Sequence, residues 1–210
     1  MSIYDEINEQ KLDALKELGN IGAGNAATAI STMLNKKIDI TVPSAEIIPI
    51  SELWEEFSDP EGITAGAMVE IGGELHGAIL FLLGTQETKQ ILELLMLPRP
   101  EDLTEIDEMT SSAIGEVGNI MCSTYISALS NFTGLNIHSL PPKITVDMLT
   151  AIVSEASLMV TEGSDFVILI RTDINIEEYE GNVTCFLIYL SDENNIIKLL
   201  KTLGMGTNNE

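Results

Sequence analysis

The stretch "DALKELGNIGAGNAATAISTMLNKKIDITVP" (residues 13–43) returns later in the chain in altered form, as "SAIGEVGNIMCSTYISALSNFTGLNIHSLPP" (residues 112–142). The two stretches align without a gap at an offset of 99 residues, and nine of the 31 aligned positions are identical. A solenoid requires three or more short repeats, whereas two copies at this long period indicate the duplication of one domain-sized unit. The sequence therefore predicts two similar halves.

The segments that follow the two copies also correspond in order. The first copy is followed by two strand-like runs, "ITAGAMVEIGG" and "LHGAILFLLG", and then by "TQETKQILELLML", which has helical spacing. The second copy is followed by three apolar runs that we predict to be strands, at 144–161, 166–176 and 182–190, and then by a closing helix capped by Asp192. Each half is thus expected to contain a long helix, several strands and a short closing helix.

These patterns predict an α+β fold made of an internally duplicated helix-plus-strands unit with approximate two-fold symmetry. The strands of the two halves are expected to share one central sheet, accompanied by the two long helices that carry the repeated motif. We predict a single domain over residues 1–210, built from repeats at about 1–98 and 102–205. The junction is the segment "LPRPEDLTEID" (97–107), whose two prolines and acidic cluster interrupt regular structure.

The charge of the chain limits the classes of partner. With 33 acidic and 10 basic residues in 210, the formal net charge is −23, which repels phosphate backbones and anionic lipid headgroups. We therefore expect neither nucleic acid nor a membrane surface as a partner. The charge serves solubility, or it attracts a basic patch or a lysine of another protein.

Cysteine usage and hydropathy indicate the compartment. Cys122 and Cys185 are isolated in the sequence, so they suggest neither a disulfide framework nor a zinc site. The longest apolar run, "AILFLL", is far too short to span a bilayer, and the N-terminus is polar and acidic. We expect a cytoplasmic protein.

Residues 22–27, "GAGNAA", match the G-x-G-x-x-G/A pattern of a dinucleotide-binding turn. Such a turn follows a strand and opens a helix, so that the pyrophosphate meets free N–H groups at the helix start. Here the preceding residues, "QKLDALKEL", have helical spacing themselves, and the second copy has Met121 and Ser123 in place of Gly22 and Gly24. The sequence therefore argues against nucleotide binding.

Glycines inside the predicted helices need another explanation. A glycine in a helix interior costs roughly 1 kcal/mol relative to alanine, so these residues suggest the close approach of another group. Gly22 lies on the predicted core side and is explained by packing. Gly19 and Gly118, which precede the asparagine of each copy, either pack against a neighbouring element or leave room for a partner protein to reach that asparagine.

The polar residues of each copy fall on one narrow stripe of its helix, opposite a stripe of apolar residues. A glutamate and an asparagine three residues apart, Glu17 and Asn20 in the first copy and Glu116 and Asn119 in the second, are expected to be exposed side by side. Pairs of this kind are common as solvated surface residues, but this pair is present in both copies while flanking residues differ. We therefore regard both pairs as candidate site residues.

An asparagine amide is neither a nucleophile nor a useful general base at neutral pH. It can, however, hold a water molecule in line with a phosphorus atom, as a glutamine does in GTPases. A nearby carboxylate can pair with a lysine and fix the orientation of a docked partner. The chain has no P-loop, no metal-ligand motif and only two histidines, so a phosphate and its metal would have to come with the substrate.

With these residues the chain resembles the CheC/CheX/FliY family of chemotaxis phosphatases, which hydrolyse the aspartyl-phosphate of the response regulator CheY. The family pattern is Asp or Ser, three residues, Glu, two residues, Asn, and then Pro after 22 further residues. It is met by Asp13, Glu17, Asn20 and Pro43, and again by Ser112, Glu116, Asn119 and Pro142. Two intact motifs in one chain are most similar to the CheC-type members.

The resemblance implies a role for each motif residue. Asn20 and Asn119 would enter the active site of the regulator and position water, and Glu17 and Glu116 would pair with its active-site lysine. Mg²⁺ would be bound by the regulator, and this chain would have no cofactor or metal of its own. Further contacts with a partner are expected from Asp13 and Ser112, and structural roles from Gly19, Gly118, Pro43 and Pro142.

CheC-type proteins also bind the receptor deamidase CheD, so the resemblance implies this second partner. Our candidate for that surface is Asp147, a lone charge within an apolar run; the alternative is a charge that protects an edge strand from aggregation. For the function as a whole, the alternative is a non-catalytic adaptor that binds the phosphorylated regulator and CheD.

Overall fold

A computed structural model describes residues 3–158, 160, 165–177, 179 and 181–205. Its helices and strands are interspersed along the chain, with two additional 3-10 turns at Leu53–Glu56 and Leu103–Glu105. The helices are α1 (Ile3–Glu6), α2 (Glu9–Leu34), α3 (Thr85–Leu94), α4 (Glu108–Thr133), α5 (Leu149–Leu158) and α6 (Glu193–Met205). The strands are β1 (Ile38–Pro49), β2 (Ile63–Gly73), β3 (Gly77–Gly84), β4 (Ile137–Ser139), β5 (Lys143–Met148), β6 (Phe166–Ile176) and β7 (Asn182–Leu190).

The seven strands form one antiparallel sheet in the order β1-β6-β7-β3-β2, and both β4 and β5 pair with the outer side of β2. The prediction that both halves share a central sheet is therefore confirmed. The last strand of each half, β3 and β7, lies in the centre. The first strand of each half lies at an edge, beside the middle strand of the other half, so each half completes the sheet of the other.

The pairing at the two edges of the sheet corresponds residue by residue. The offset of 99 that aligns the two motifs also carries the ends of β1 onto the ends of the β4–β5 segment. The end pairs are Ile38–Ile176 and Pro49–Phe166 at one edge, and Ile137–Gly73 and Met148–Ile63 at the other. This is the arrangement that a duplication predicts; the duplication, and the repeat boundaries at 98 and 102, stay predictions.

The two long helices lie side by side on one face of the sheet. The main core lies between this face and helices α2, α4 and α6, and a smaller core lies on the opposite face under α5 and the first 3-10 turn. In β3, Ile79 and Phe81 belong to the first core, whereas Ala78 and Leu80 belong to the second. Because both faces of this strand are covered, its sequence is apolar throughout and does not alternate with polar residues.

Short polar side chains fix where the motif helices begin. The side chain of Asn8 accepts a hydrogen bond from Lys11 N before α2, and that of Asp107 accepts one from Thr110 N before α4. These N-caps satisfy amide groups that have no partner in the first helical turn. Asp192 plays this role for the closing helix, as predicted, because its Oδ1 accepts from Asn195 N at 3.0 Å.

The prediction of a strand over residues 144–161 is wrong for most of that segment. Only its beginning belongs to β5, and Leu149–Leu158 form helix α5. The buried residues Leu149, Ile152, Val153 and Ala156 have the i, i+3, i+4, i+7 spacing of a helix face, which packs on the second core. A short apolar run does not distinguish a strand from a buried helix, which is why the prediction failed. Residues 159 and 161 lie outside the described residues.

None of the helices in the described part of the chain combines the length and the apolar character that a membrane span requires.

Candidate functional site

The structure exposes both predicted pairs on the surfaces of the long helices. Glu17 and Asn20 are exposed on α2, together with Asp13 one turn earlier. The aligned residues Glu116, Asn119 and Ser112 are exposed in the same order on α4. In both helices the residue after the glutamate is buried, so the glutamate and the asparagine lie on one strip of surface beside the core-facing side.

Asn20 is attached to the edge of the sheet by a hydrogen bond. Its Oδ1 accepts from the main-chain N–H of Val42 in β1, with an N···O distance of 3.3 Å. The ladder between β1 and β6 is irregular at this point: the register passes from Thr41–Asp173 directly to Ser44–Arg171. Val42 and Pro43 therefore face a single residue of β6, in the manner of a β-bulge, and the N–H of Val42 is available to a side chain.

The irregularity gives a physical reason for the 22-residue spacing between asparagine and proline. Pro43 cannot donate to a strand ladder because it has no N–H, and proline within sheets occurs at edge strands and bulges. The residue before it is the one that Asn20 contacts. The spacing is thus the length of chain that leads from Asn20, in the middle of α2, to the bulge in β1 that lies beside α2.

The second site lacks this attachment. Residue 141, which the 99-residue offset aligns with Val42, is a proline and has no N–H to donate. The strand is interrupted here as well: Leu140 N still donates to Glu70 O, and β5 then starts at Lys143. Within the described residues, the side chain of Asn119 makes no hydrogen bond.

The carboxylates of the two pairs are not committed to other groups of the chain. Six salt bridges link described residues, and neither Glu17 nor Glu116 takes part in them. Both side chains are exposed and lie one helical turn before the asparagine. An unpaired surface carboxylate in this position can accept a cation from a docking protein.

The glycines before the two asparagines face the sheet. A β-carbon at Gly19 would lie 3.2 Å from Val42 Cγ1, and one at Gly118 would overlap the β-carbon of Ala67 in β2. Both glycines are buried, so the structure agrees with the packing explanation. Gly22 also packs as expected, because a β-carbon there would lie 3.0 Å from Tyr125 Cγ.

Gly24 has no such neighbour. A β-carbon at this position would meet nothing within 4 Å, although the residue lies in the middle of α2 and is exposed. It follows Asn20 by one helical turn, on the predicted polar stripe. No contact within the described chain explains a glycine here.

The two sites lie toward opposite edges of the sheet. Asn20 contacts β1 at one edge, whereas α4 near Asn119 lies over β2 and β5, where a β-carbon at Gly115 would lie 3.0 Å from Ile144 Cγ1. Five strand spacings separate β1 from β5, which corresponds to roughly 24 Å. The structure therefore keeps the two pairs apart and does not combine them into one site.

Asp147 lies away from both pairs. It is exposed in β5, which pairs with β2 on one side only, and its Oδ1 accepts a hydrogen bond from Met148 N at 2.7 Å.

Pro43 is exposed and Pro142 is half-buried at the corresponding strand irregularities. Among the residues that the structure describes, His, Cys, Asp and Glu form no group of three or more that could hold a metal ion.

Sequence reasoning missed two features of the site. The first is the N–H of Val42, for which the only signal was the proline that follows it. The second is Ile21, which is 40% exposed directly after Asn20 and offers an apolar contact next to the amide. Its identity with Ile120 in the second copy was the available signal.

One antiparallel sheet that carries two helices, each with an exposed Glu–Asn pair, defines the class of this protein. The model of the CheC-like family matches residues 11–47 and, separately, residues 109–146. Over 207 residues the chain is 33% identical to "CheY-P phosphatase CheC" of Bacillus subtilis (strain 168), covering 97% of this chain and 99% of that protein. The chain belongs to the CheC-like family.

Solved structures show the same fold. FliY of Thermotoga maritima superposes with a TM-score of 0.76 and 23% identity, covering 95% of this chain and 98% of that one. The CheX chain of the "CheX-CheY-BeF3-Mg+2 complex" from Borrelia burgdorferi matches with a TM-score of 0.51 and 17% identity, over 81% of this chain and 96% of that one. At these identities the likeness is one of fold.

Proposed function

We propose that this protein is a phosphatase that hydrolyses the aspartyl-phosphate of a CheY-type response regulator. The observation that carries the proposal is the pair of exposed asparagines, Asn20 and Asn119, each beside an unpaired glutamate, in a chain that is 33% identical to a protein named as a CheY-P phosphatase. A CheX of the same fold forms a complex with CheY, which supports a regulator as the docking partner.

The asparagine would act on water. Its amide enters the active site of the regulator and holds a water molecule in line with the phosphorus atom. The water oxygen forms a bond to phosphorus, the bond from phosphorus to the aspartyl oxygen breaks, and the aspartate leaves as a carboxylate with release of inorganic phosphate and one water proton. The phosphorylated aspartate and the Mg²⁺ that balances its charge belong to the regulator.

The glutamate would orient the complex. Glu17 and Glu116 lie one turn before the asparagines and make no salt bridge within the described chain, so each can pair with a lysine of the regulator. Such a pair fixes the helix relative to the phosphate and thereby places the amide. The net charge of −23 favours a partner with exposed lysines.

The test is the decay rate of phosphorylated regulator in Mg²⁺ with the unchanged protein, Asn20→Ala, Asn119→Ala and the double variant. We expect partial loss in each single variant and complete loss in the double, with regulator binding retained in all four. Unchanged decay in all four, despite complex formation, would contradict a phosphatase and identify an adaptor.

We further propose that the chain binds a CheD-type receptor deamidase through the surface around Asp147. The residue is exposed and accepts only from its neighbouring main chain, so its charge is available to a partner. The alternative, protection of a sheet edge, also agrees with its place in β5. Titration of the deamidase against Asp147→Ala, which removes the charge, distinguishes them: a docking role predicts loss of binding in a monomeric protein, and edge protection predicts aggregation with binding intact.

A further inference from the structure

We propose that the main-chain N–H of Val42 is a positioning group for the amide of Asn20, and that Pro141 withholds such a group from Asn119. The two sites would then hydrolyse the same substrate with asparagine amides that differ in their hydrogen bonding before the regulator binds. This inference rests on the proposed phosphatase activity, because it concerns how each asparagine holds the attacking water.

The hydrogen bond determines which end of the Asn20 amide faces the sheet. A main-chain N–H can only donate, so the atom that it contacts is the carbonyl oxygen Oδ1 and not Nδ2. One lone pair of Oδ1 is thereby occupied, and the second remains free to accept a proton of water. The Nδ2 group is therefore not the atom that faces the N–H of Val42.

An ordered amide reduces the cost of reaching the reactive geometry. A free asparagine on a helix surface samples several side-chain rotamers and both orientations of its amide. Fixing these torsions in the ground state avoids part of the entropy loss that would otherwise accompany the ordering of water at phosphorus. Val42 is itself held in place, since it is 3% exposed and lies against Gly19.

The second site is built without this restraint. Prolines occupy both residues 141 and 142, so neither position of the interrupted strand can donate a hydrogen bond. Within the described residues, no other group contacts the Asn119 amide by a hydrogen bond. Asn119 therefore has to be ordered entirely by the regulator when the complex forms.

The experiment isolates each site and changes a single N–H group. In the Asn119→Ala background, only the first site is active; replacing Val42 by its α-hydroxy acid puts an ester oxygen in place of the N–H and keeps the isopropyl side chain. We expect kcat to fall roughly two- to tenfold, the effect of one net hydrogen bond, with little change in KM. An unchanged kcat would overturn the inference.

The converse change is made at the second site. In the Asn20→Ala background, Pro141→Ala supplies an N–H, and the α-hydroxy acid of alanine at the same position supplies an ester oxygen as the matched control. Pro141 is exposed, so either change alters little of the core. We expect a higher kcat for Pro141→Ala than for its ester; equal values would show that the missing N–H does not distinguish the sites.

A second measurement does not depend on turnover. The side-chain NH₂ group of Asn20 should show a larger ¹⁵N heteronuclear NOE than that of Asn119, and the ester at residue 42 should lower it to the Asn119 value. Equal NOE values in the unchanged protein would overturn the inference. If neither single-site protein exceeds the regulator's own decay rate, the proposed function fails, while the NOE comparison still tests the positioning.

Discussion

Gly118 of α4 lies directly on Ala67 of β2, so closely that a β-carbon on the glycine would overlap that of the alanine. Asn119 is the next residue, and this contact therefore sets the height of the second amide above the sheet. On α2 the aligned glycine, Gly19, lies on Val42, the residue whose N–H contacts Asn20. In both helices the residue before the asparagine is a glycine, and its lack of a side chain allows the close contact with the sheet that positions the candidate site.

Substitution of this glycine should destabilise the protein. In Gly118→Ala the added methyl group has no space, and overpacking of this kind costs about 1–3 kcal/mol. The better helix propensity of alanine, about 1 kcal/mol, offsets only part of this cost. Urea unfolding should show a lower midpoint, and Ala67→Gly in the same protein should restore part of the loss. A Gly118→Ala variant at least as stable as the original would contradict the packing that we describe.

Gly24 provides the matched control, because it is also inside a motif helix but has open space around it. Gly24→Ala should stabilise the fold by about 1 kcal/mol in the same urea experiment. If the regulator approaches this face closely, the methyl group should raise KM for phosphorylated regulator in the Asn119→Ala background. A stabilised variant with unchanged KM would show that the glycine does not serve docking.

The buried hydroxyl pair between α4 and β6 should be sensitive to the loss of one partner. Tyr125 Oη and Thr172 Oγ1 are 3.1 Å apart in the core, and Thr172 is the residue of β6 that faces the β1 irregularity. Tyr125→Phe leaves the threonine hydroxyl without its partner, which costs about 1–3 kcal/mol.

The double variant Tyr125→Phe/Thr172→Val removes both polar groups and should be less destabilised than the sum of the two single variants. Thermal unfolding of all four proteins forms a double-mutant cycle that measures the coupling. Strict additivity would mean that the two hydroxyls do not interact.

The two thiols should be inert in the folded protein. Cys122 and Cys185 are buried, and burial raises the pKa of Cys122 to about 12 and raises the pKa of Cys185 as well. Since the thiolate is the reactive form, a disulfide reagent at pH 8 should label neither cysteine in the native state and both in urea. Rapid labelling of one native thiol would place that cysteine in a more open environment than the structure shows.

Local periodicity was sufficient to predict that the candidate residues are exposed on their helices. Exposure of Glu17 and Asn20, and of the aligned pair on α4, depends only on the 100° rotation per residue within one helix, which the sequence encodes directly. Periodicity and hydropathy gave a wrong prediction for α5, because its apolar residues are compatible with a strand as well as with a helix. In the structure this segment is a helix that packs on the second core.

The two motif helices and the exposure of their Glu–Asn pairs could be predicted from the sequence alone, because both follow from local periodicity. The shared sheet could be expected only in outline, from the order of the strands along the chain. Several relationships emerge only in the folded chain: β1 pairs with β6 and β5 with β2, Gly118 lies on Ala67, and Val42 N donates to Asn20 whereas Pro141 has no N–H to donate near Asn119. The physical reason is that these contacts join residues distant in sequence. They depend on strand register and helix placement, which are fixed by burial of the whole core and not by any local pattern.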